Sequence, residues 1–453
     1  MSTSRVTLHS KLTAVSSKPG SGKTHTLSAL DHAMGFHTVH IIFYYKNDDN
    51  LFGSFDIDPL RESLSEVLTM YPTMTGRLAR GMDGNWQVRC SDAGVRVLKA
   101  KVDTTLDEWL SSGSQESHLI AWDDMPDDPS QWSPFRIQIN SFREGGVAIG
   151  LSCSHMLADL TCAASFLKSW TEAHRRLPIT NPPFFSSLRN ADATSLTRYA
   201  TIPSTKTQTS PSRNMATATF KFSSSSIELC LSKVHDECPN ATPFDFLSAL
   251  FWTRIARLKL PKNHDQTHSL SICTDFRRLL KEPLPIGYFG NAVHFSKLSL
   301  KVKDTDSERL GSIASQVHRH LEGVAEEEIW CAIEWFESQK ESEGGKFKSP
   351  TCMYGPELTC VCMEHMIISS EEADQPLLYA AMFSKNEKPA HVSCHVGNMN
   401  GEGLIMVMPS LEGGLARTVM VMLPEEELPQ LCNDQVISQL EPTMLLTGCV
   451  LDH

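Results

Sequence analysis

The residue best placed to do chemistry in this chain is His155, which opens the run His155-Met156-Leu157-Ala158-Asp159. An imidazole at the end of a strand, backed by a carboxylate four residues on, is equipped to act as a general base. Neutral near physiological pH, it can take a proton from a hydroxyl or amine as that group attacks. The spacing alone carries little weight, because a chain with 18 histidines should hold about one such pair by chance. The surroundings add more. Ser152, Cys153 and Ser154 are small and would let a ligand approach closely. A helical pattern with apolar residues at Ala163, Phe166, Leu167 and Trp170 begins just beyond, and the positive end of a helix disfavours imidazolium. Asp159 could brace the turn by pairing with an arginine from elsewhere. The bland alternative is a structural histidine satisfied by backbone groups.

Other motifs read less well. Residues 17–24 end in Gly22-Lys23-Thr24 like a phosphate-binding loop, but Ser17 stands where that pattern requires glycine or alanine. The helical stretch that follows is short and ends at Met34-Gly35, and no strand ending in Asp supplies the magnesium side, so nucleotide hydrolysis is not supported. The run His391-Val392-Ser393-Cys394-His395 would set His391, Ser393 and His395 on one strand face. A metal would need a further ligand of known position, so the reading is a half-exposed strand and no metal site. The acidic clusters Asp123-Asp124, Asp127-Asp128 and Glu425-Glu426-Glu427 read as solvated loops and, after Pro424, a helix start.

The elements that must hold His155 follow from pattern. Residues 39–45 read as a buried strand, 57–70 as a helix with Leu60, Leu64, Val67 and Leu68 on one face, and 84–90 and 94–98 as short strands. Residues 135–140 alternate strictly and lead through Glu144-Gly145-Gly146 into the apolar run 147–154, a hairpin delivering His155. From 178 to 215 proline, serine and threonine dominate and periodicity is lost. The expected division is therefore residues 1–177, a connection 178–215, and residues 216–453. In the second half 218–222 and 270–274 read as strands. Thr242-Pro243 with Asp245 starts a helix, and 403–408 and 416–422 form a hairpin around Gly413-Gly414.

Composition bounds the function. At 453 residues the chain exceeds one ordinary core. A net charge of -12 argues against nucleic acid. The 13 cysteines include no Cys-x-x-Cys pair, and the N-terminus has no signal-like apolar run, so reduced thiols and a cytoplasmic setting are expected. No apolar run is long enough for a transmembrane segment; any association with the endoplasmic reticulum surface would come through a partner.

Four segments resemble the plant BAHD acyltransferases over nearly the whole chain. They are Leu27-Ser28-Ala29-Leu30-Asp31; residues 155–159; Thr274-Asp275-Phe276-Arg277-Arg278-Leu279 with Pro283-Leu284-Pro285 and Gly287-Tyr288-Phe289-Gly290-Asn291; and residues 401–404 with 423–427. The third is the most specific. The resemblance implies an α/β fold of two chloramphenicol-acetyltransferase-like domains, each a mixed β-sheet with flanking helices, with a channel between them. It implies an acyl-CoA-dependent acyltransferase in which His155 takes the proton of an alcohol or amine acceptor as it attacks the thioester. Asp159 then points away from the channel and pairs with Arg277, with Asp275 among the supporting residues. No cofactor is bound, acyl-CoA is a co-substrate, and a monomer is expected.

The departures from the family pattern matter. Leu160 replaces the usual glycine after the aspartate. Met382-Phe383-Ser384-Lys385-Asn386-Glu387 stands where Asp-Phe-Gly-Trp-Gly is expected before Lys388-Pro389, Val361 replaces a tryptophan, and residues 369–375 look inserted. Similar losses mark the Eceriferum and Glossy branch, which the opening residues 27–34 also resemble. That branch implies an alternative: a non-catalytic accessory of very-long-chain fatty acid elongation in cuticular wax synthesis, acting through a condensing enzyme.

Overall fold

A computed structural model describes residues 5–18, 22–47, 58–112, 116–186, 188, 213–259, 267–301, 310–341, 345–368 and 375–450, with 375 and 448–450 described for the backbone alone. Residues 189–212 of the connection 178–215 and 369–374 of the inserted segment 369–375 lie outside the described residues.

Two mixed sheets dominate. The first has six strands in the order Val6–Ala14, Val95–Val102, Phe135–Phe142, Val147–Ser154, Thr38–Tyr45 and His391–Gly397. The hairpin Phe135–Phe142 to Val147–Ser154 forms as its sequence dictates, antiparallel, with Ile137 opposite Leu151 and Ile139 opposite Ile149. The second sheet has seven strands, in the order Val293–Lys301, Thr267–Asp275, Leu358–Cys362, Leu404–Pro409, Arg417–Pro424, Met215–Phe222 and Thr443–Val450. A small three-stranded sheet is built from Thr24–Thr26, Trp86–Arg89 and Arg77–Arg80. Thr24 of the phosphate-loop look-alike thus belongs to a strand, followed only by the five-residue helix Ala29–Ala33.

Helices cover the sheets with the stripes their sequences carry. Asp58–Leu68 and Leu160–His174 lay Leu60, Leu64, Val67, Ala163, Phe166, Leu167 and Trp170 on the odd-numbered face of Thr38–Tyr45, against Val39, Ile41 and Phe43. In the second half Pro243–Leu258 opens on a full capping box, Thr242 with Asp245, and has proline in its first turn. It packs with Leu310–Glu322 on the second sheet around Phe220, Phe251, Ile272 and Val419.

One local expectation fails because the outer face of the first sheet is covered. On that face the polar residues of the alternating strand, Arg136, Gln138 and Asn140, are buried. Arg136 donates to Ser133 O and pairs with Asp123, and the segment around Glu116–Leu119 lies over Gln138 and Asn140 and satisfies them with its carbonyls. Gln138 Nε2 donates to His118 O at 2.7 Å and Asn140 Nδ2 to Leu119 O at 2.8 Å. The strand His391–Gly397 is likewise fully buried rather than half-exposed, because it pairs with Thr38–Tyr45 beneath the same cover. His391, Ser393 and His395 do share a face, where His395 Nε2 lies 3.1 Å from the buried Glu116 carboxylate.

Candidate active site

The turn after Val147–Ser154 is fixed from three directions. His155 N–H donates to His37 O at 3.0 Å, Leu157 N–H to Ser154 O at 3.0 Å, and Asn291 Nδ2 to His155 O at 2.8 Å. Asn291 is itself held by Asp31, whose Oδ1 accepts from Asn291 N–H at 3.2 Å and Nδ2 at 2.8 Å. Asp31 is presented there by a capping box: Ser28 caps the helix Ala29–Ala33, and Asp31 Oδ2 accepts from the Ser28 backbone and hydroxyl. Residues far apart in the chain thus lock the imidazole's backbone.

The ring of His155 is fully buried. Nε2 lies 2.9 Å from the Tyr354 hydroxyl, and Nδ1 has no hydrogen-bond partner of good geometry among the described residues. Burial depresses the imidazole pKa below its ordinary value of 6.5, against the opposing pull of Asp159, its own carbonyl, Asn291 and Asp31. Burial also pushes the Tyr354 phenol well up. Both groups are therefore neutral at pH 7, with the phenol able to donate to Nε2.

Asp159 faces away from this ring and does structural work. It is the N-cap of Leu160–His174, with Oδ1 accepting from Cys162 N–H at 2.9 Å. Its Oδ2 accepts from Ala292 N–H at 3.0 Å and lies 2.9 Å from Arg277 Nη2. Arg277 also pairs with Asp275 and donates to Gly290 O at 3.0 Å and Tyr288 O at 3.3 Å. Burial by itself would raise the Asp159 pKa; the Arg277 guanidinium and the N–H donors outweigh it and hold the carboxyl below its usual range. Asp275 further accepts from Thr161 Oγ1 at 3.2 Å, which is bonded to His365 Nε2 at 2.8 Å.

The structure therefore brings Asp159, Arg277 and Asp275 into one buried cluster and sets His155 four residues up the same turn. Residue-type reasoning missed Tyr354, His37 and the clamp role of Asp31. The Ser28-x-x-Asp31 spacing could have announced the cap; nothing local marks Tyr354 or His37. The departures are also placed. Leu160 is buried in the core beneath its helix. Phe383 packs on Trp170, His174 and Tyr45 with ring centres 5.3–5.8 Å apart, and Glu387 accepts from Asn47 N–H. The altered signature is a packing segment. A cavity of about 230 Å³ lies on the outer face of the first sheet, lined by residues that include Thr38, His40, Trp122, Asp123 and His395. Neither His155 nor Tyr354 lines it. Among the described residues no group of His, Cys, Asp or Glu could hold a metal, and no helix is long and apolar enough to cross a membrane.

Two mixed α/β sheets meeting around a strand-end histidine, with an arginine-braced aspartate one helical turn on, define an acyltransferase-type scaffold. The profile of the Transferase family matches residues 4–436, and the chain belongs to that family, the BAHD acyltransferases. It is 30% identical over 325 residues to a hydroxycinnamoyltransferase of Narcissus pseudonarcissus, covering 67% of this chain and 73% of that protein. It is 24% identical over 430 residues to Protein ECERIFERUM 2 of Arabidopsis thaliana, covering 91% and 93%. Among solved structures, vinorine synthase superposes with a TM-score of 0.70 at 19% identity, covering 98% of this chain and 99% of that one. F. sporotrichioides TRI101, complexed with coenzyme A and T-2, gives 0.69 at 13% identity, covering 94% and 100%.

Proposed function

We propose that this protein transfers an acyl group from a CoA thioester to an alcohol or amine, with His155 as general base. The observation that carries the reading is a neutral-favoured imidazole clamped at a strand end by His37 and Asn291. Neutral Nε2 takes the acceptor's proton as its oxygen or nitrogen bonds to the thioester carbonyl carbon. The tetrahedral intermediate then expels the CoA thiolate, which recovers that proton from the imidazolium. The arginine-braced Asp159 supplies placement, not a relay. Relatives named for hydroxycinnamoyl and benzoyl transfer favour aromatic acyl donors as first probes.

The test is release of free CoA thiol with hydroxycinnamoyl-, benzoyl- and long-chain acyl-CoA across a panel of alcohols and amines. His155→Ala should fold normally and lose transfer by about 10²–10⁴-fold, the range of a positioned base. A variant as active as the parent would sink the assignment.

A second reading has a specific observation behind it: similarity along almost the full length to ECERIFERUM 2, together with a base whose Nε2 is already engaged by Tyr354. In that reading the chain is a non-catalytic accessory of very-long-chain acyl elongation, docking on a condensing enzyme at the endoplasmic reticulum surface. Equal wax chain lengths in cells carrying parent or His155→Ala protein would select it.

A further inference from the structure

The hydroxyl of Tyr354 stands where an acceptor hydroxyl would have to stand. It lies 2.9 Å from His155 Nε2, the atom a base must offer, and the two side chains are 2% and 0% exposed. The Tyr354 ring is wedged in place: His37 meets it edge-on with ring centres 5.0 Å apart, and Phe295 does so at 5.1 Å. It arrives on residues 348–357, a stretch with neither helix nor strand, which crosses from the second half of the chain onto the first. Met353 N–H donates to His37 Nε2 at 2.9 Å, which leaves His37 Nδ1 to donate to Gly397 O at 3.1 Å. The buried end of the strap is thus pinned over the catalytic turn, while Lys348, Ser349 and Pro350 at its other end are exposed.

We propose that Tyr354 is a plug that decides which acceptors reach His155. An acceptor reacts when it draws the strap 349–354 off the turn and takes the phenol's place at Nε2. The exchange replaces one hydroxyl–imidazole hydrogen bond by another, and its polar cost is the one Met353 N–H bond to His37 Nε2 that lifting the strap breaks. What remains is the aromatic packing against His37 and Phe295, which a newcomer must restore. The favoured acceptors are therefore those whose hydroxyl or amine sits on an aromatic ring or a comparably flat apolar body, and small polar alcohols are disfavoured. The acceptor preference rests on the reading of His155 as base.

The experiment separates the two ideas. Diethylpyrocarbonate acylates neutral imidazoles, and peptide masses report how fast His155 is modified. Parent protein should be protected at His155; Tyr354→Ala should label at least about tenfold faster. Pro350→Gly, which loosens the strap from its exposed end without opening the core, should also raise the rate. The same proteins are then compared for kcat/KM on an aromatic alcohol and on ethanol, where Tyr354→Ala, having no phenol to displace, should raise the value for ethanol at least about tenfold. Equal labelling of parent and both variants overturns the plug, as does a kcat/KM for ethanol that Tyr354→Ala leaves unchanged. Faster labelling with no transfer by any of the proteins overturns the base and leaves the plug standing.

Discussion

At the scale of single residues, the site separates two tasks that one sequence motif seems to join. His155 is kept neutral and fixed through its backbone, while Asp159 holds a helix end and a guanidinium. Asp159→Ala should remove the cap of Leu160–His174, strand Ala292 N–H, and leave Arg277 balanced by Asp275 alone. A loss on the order of 3–5 kcal/mol is expected from breaking a buried pair, with Asp159→Asn milder because its side-chain oxygen still caps. Urea unfolding of both variants measures this; a shared loss under about 1 kcal/mol would mean the pair is worth no more than a surface one. Burial lowers the His155 pKa, so the proposed base stays unprotonated somewhat below pH 6.5 and is lost only in stronger acid. The acid limb of kcat/KM should therefore fall below 6.5, and a limb above it would assign the titration to another group.

At the scale of elements, the strand carrying His155 depends on one glycine. A Cβ at Gly150 would meet Leu119 O at 2.4 Å and Ile120 Cγ2 at 3.0 Å. Gly150→Ala must push the segment Glu116–Leu119 off the sheet and loosen its bonds to Gln138 and Asn140. About 1–3 kcal/mol of destabilisation is expected for such overpacking, read as a lower melting temperature; an unchanged one would show that the cover gives way freely. That cover also marks the limit of what the sequence reveals. The hairpin, the helix after His155 and the Thr242 cap were legible because apolar period and cap chemistry are local. The burial of Gln138, Asn140 and His391 was not, since only tertiary packing brings residues 116–124 over them. Within the site, His155 and, through family resemblance, Asp159, Asp275 and Arg277 could be read. Tyr354 could not: its contact with His155 spans 199 positions, and no spacing rule reaches across two sheets.

At the scale of the whole molecule, the two sheets share one apolar core. Val39, Phe166 and Trp170 from the first half join Met406, Met420, Tyr354 and Phe383 from the second, and the last strand of the first sheet is supplied by residues 391–397. Enclosing so much surface also encloses imidazoles. Burial lowers His155 and His365, takes His294 down to about 4 with help from His320, and takes His391 down to about 3 with help from Lys221 and His395. In the unfolded chain these rings regain a pKa near 6.5. Between that value and the native one the unfolded state binds the extra protons, so stability is whole above pH 6.5 and drains away as the pH falls. His294 and His391 should each contribute a loss on the order of 2–3 kcal/mol by about pH 4.5, at about 1.4 kcal/mol per pH unit. Carboxylates held below their usual range, Asp159 and Glu116, retain their contribution through most of this window, because unfolded carboxyls begin to protonate only near pH 4. The urea midpoint should therefore drop steadily from pH 6.5 to 4.5. A midpoint that stays level to 4.5 and then collapses would assign the acid sensitivity to the carboxylate cluster around Arg277 instead of the buried histidines.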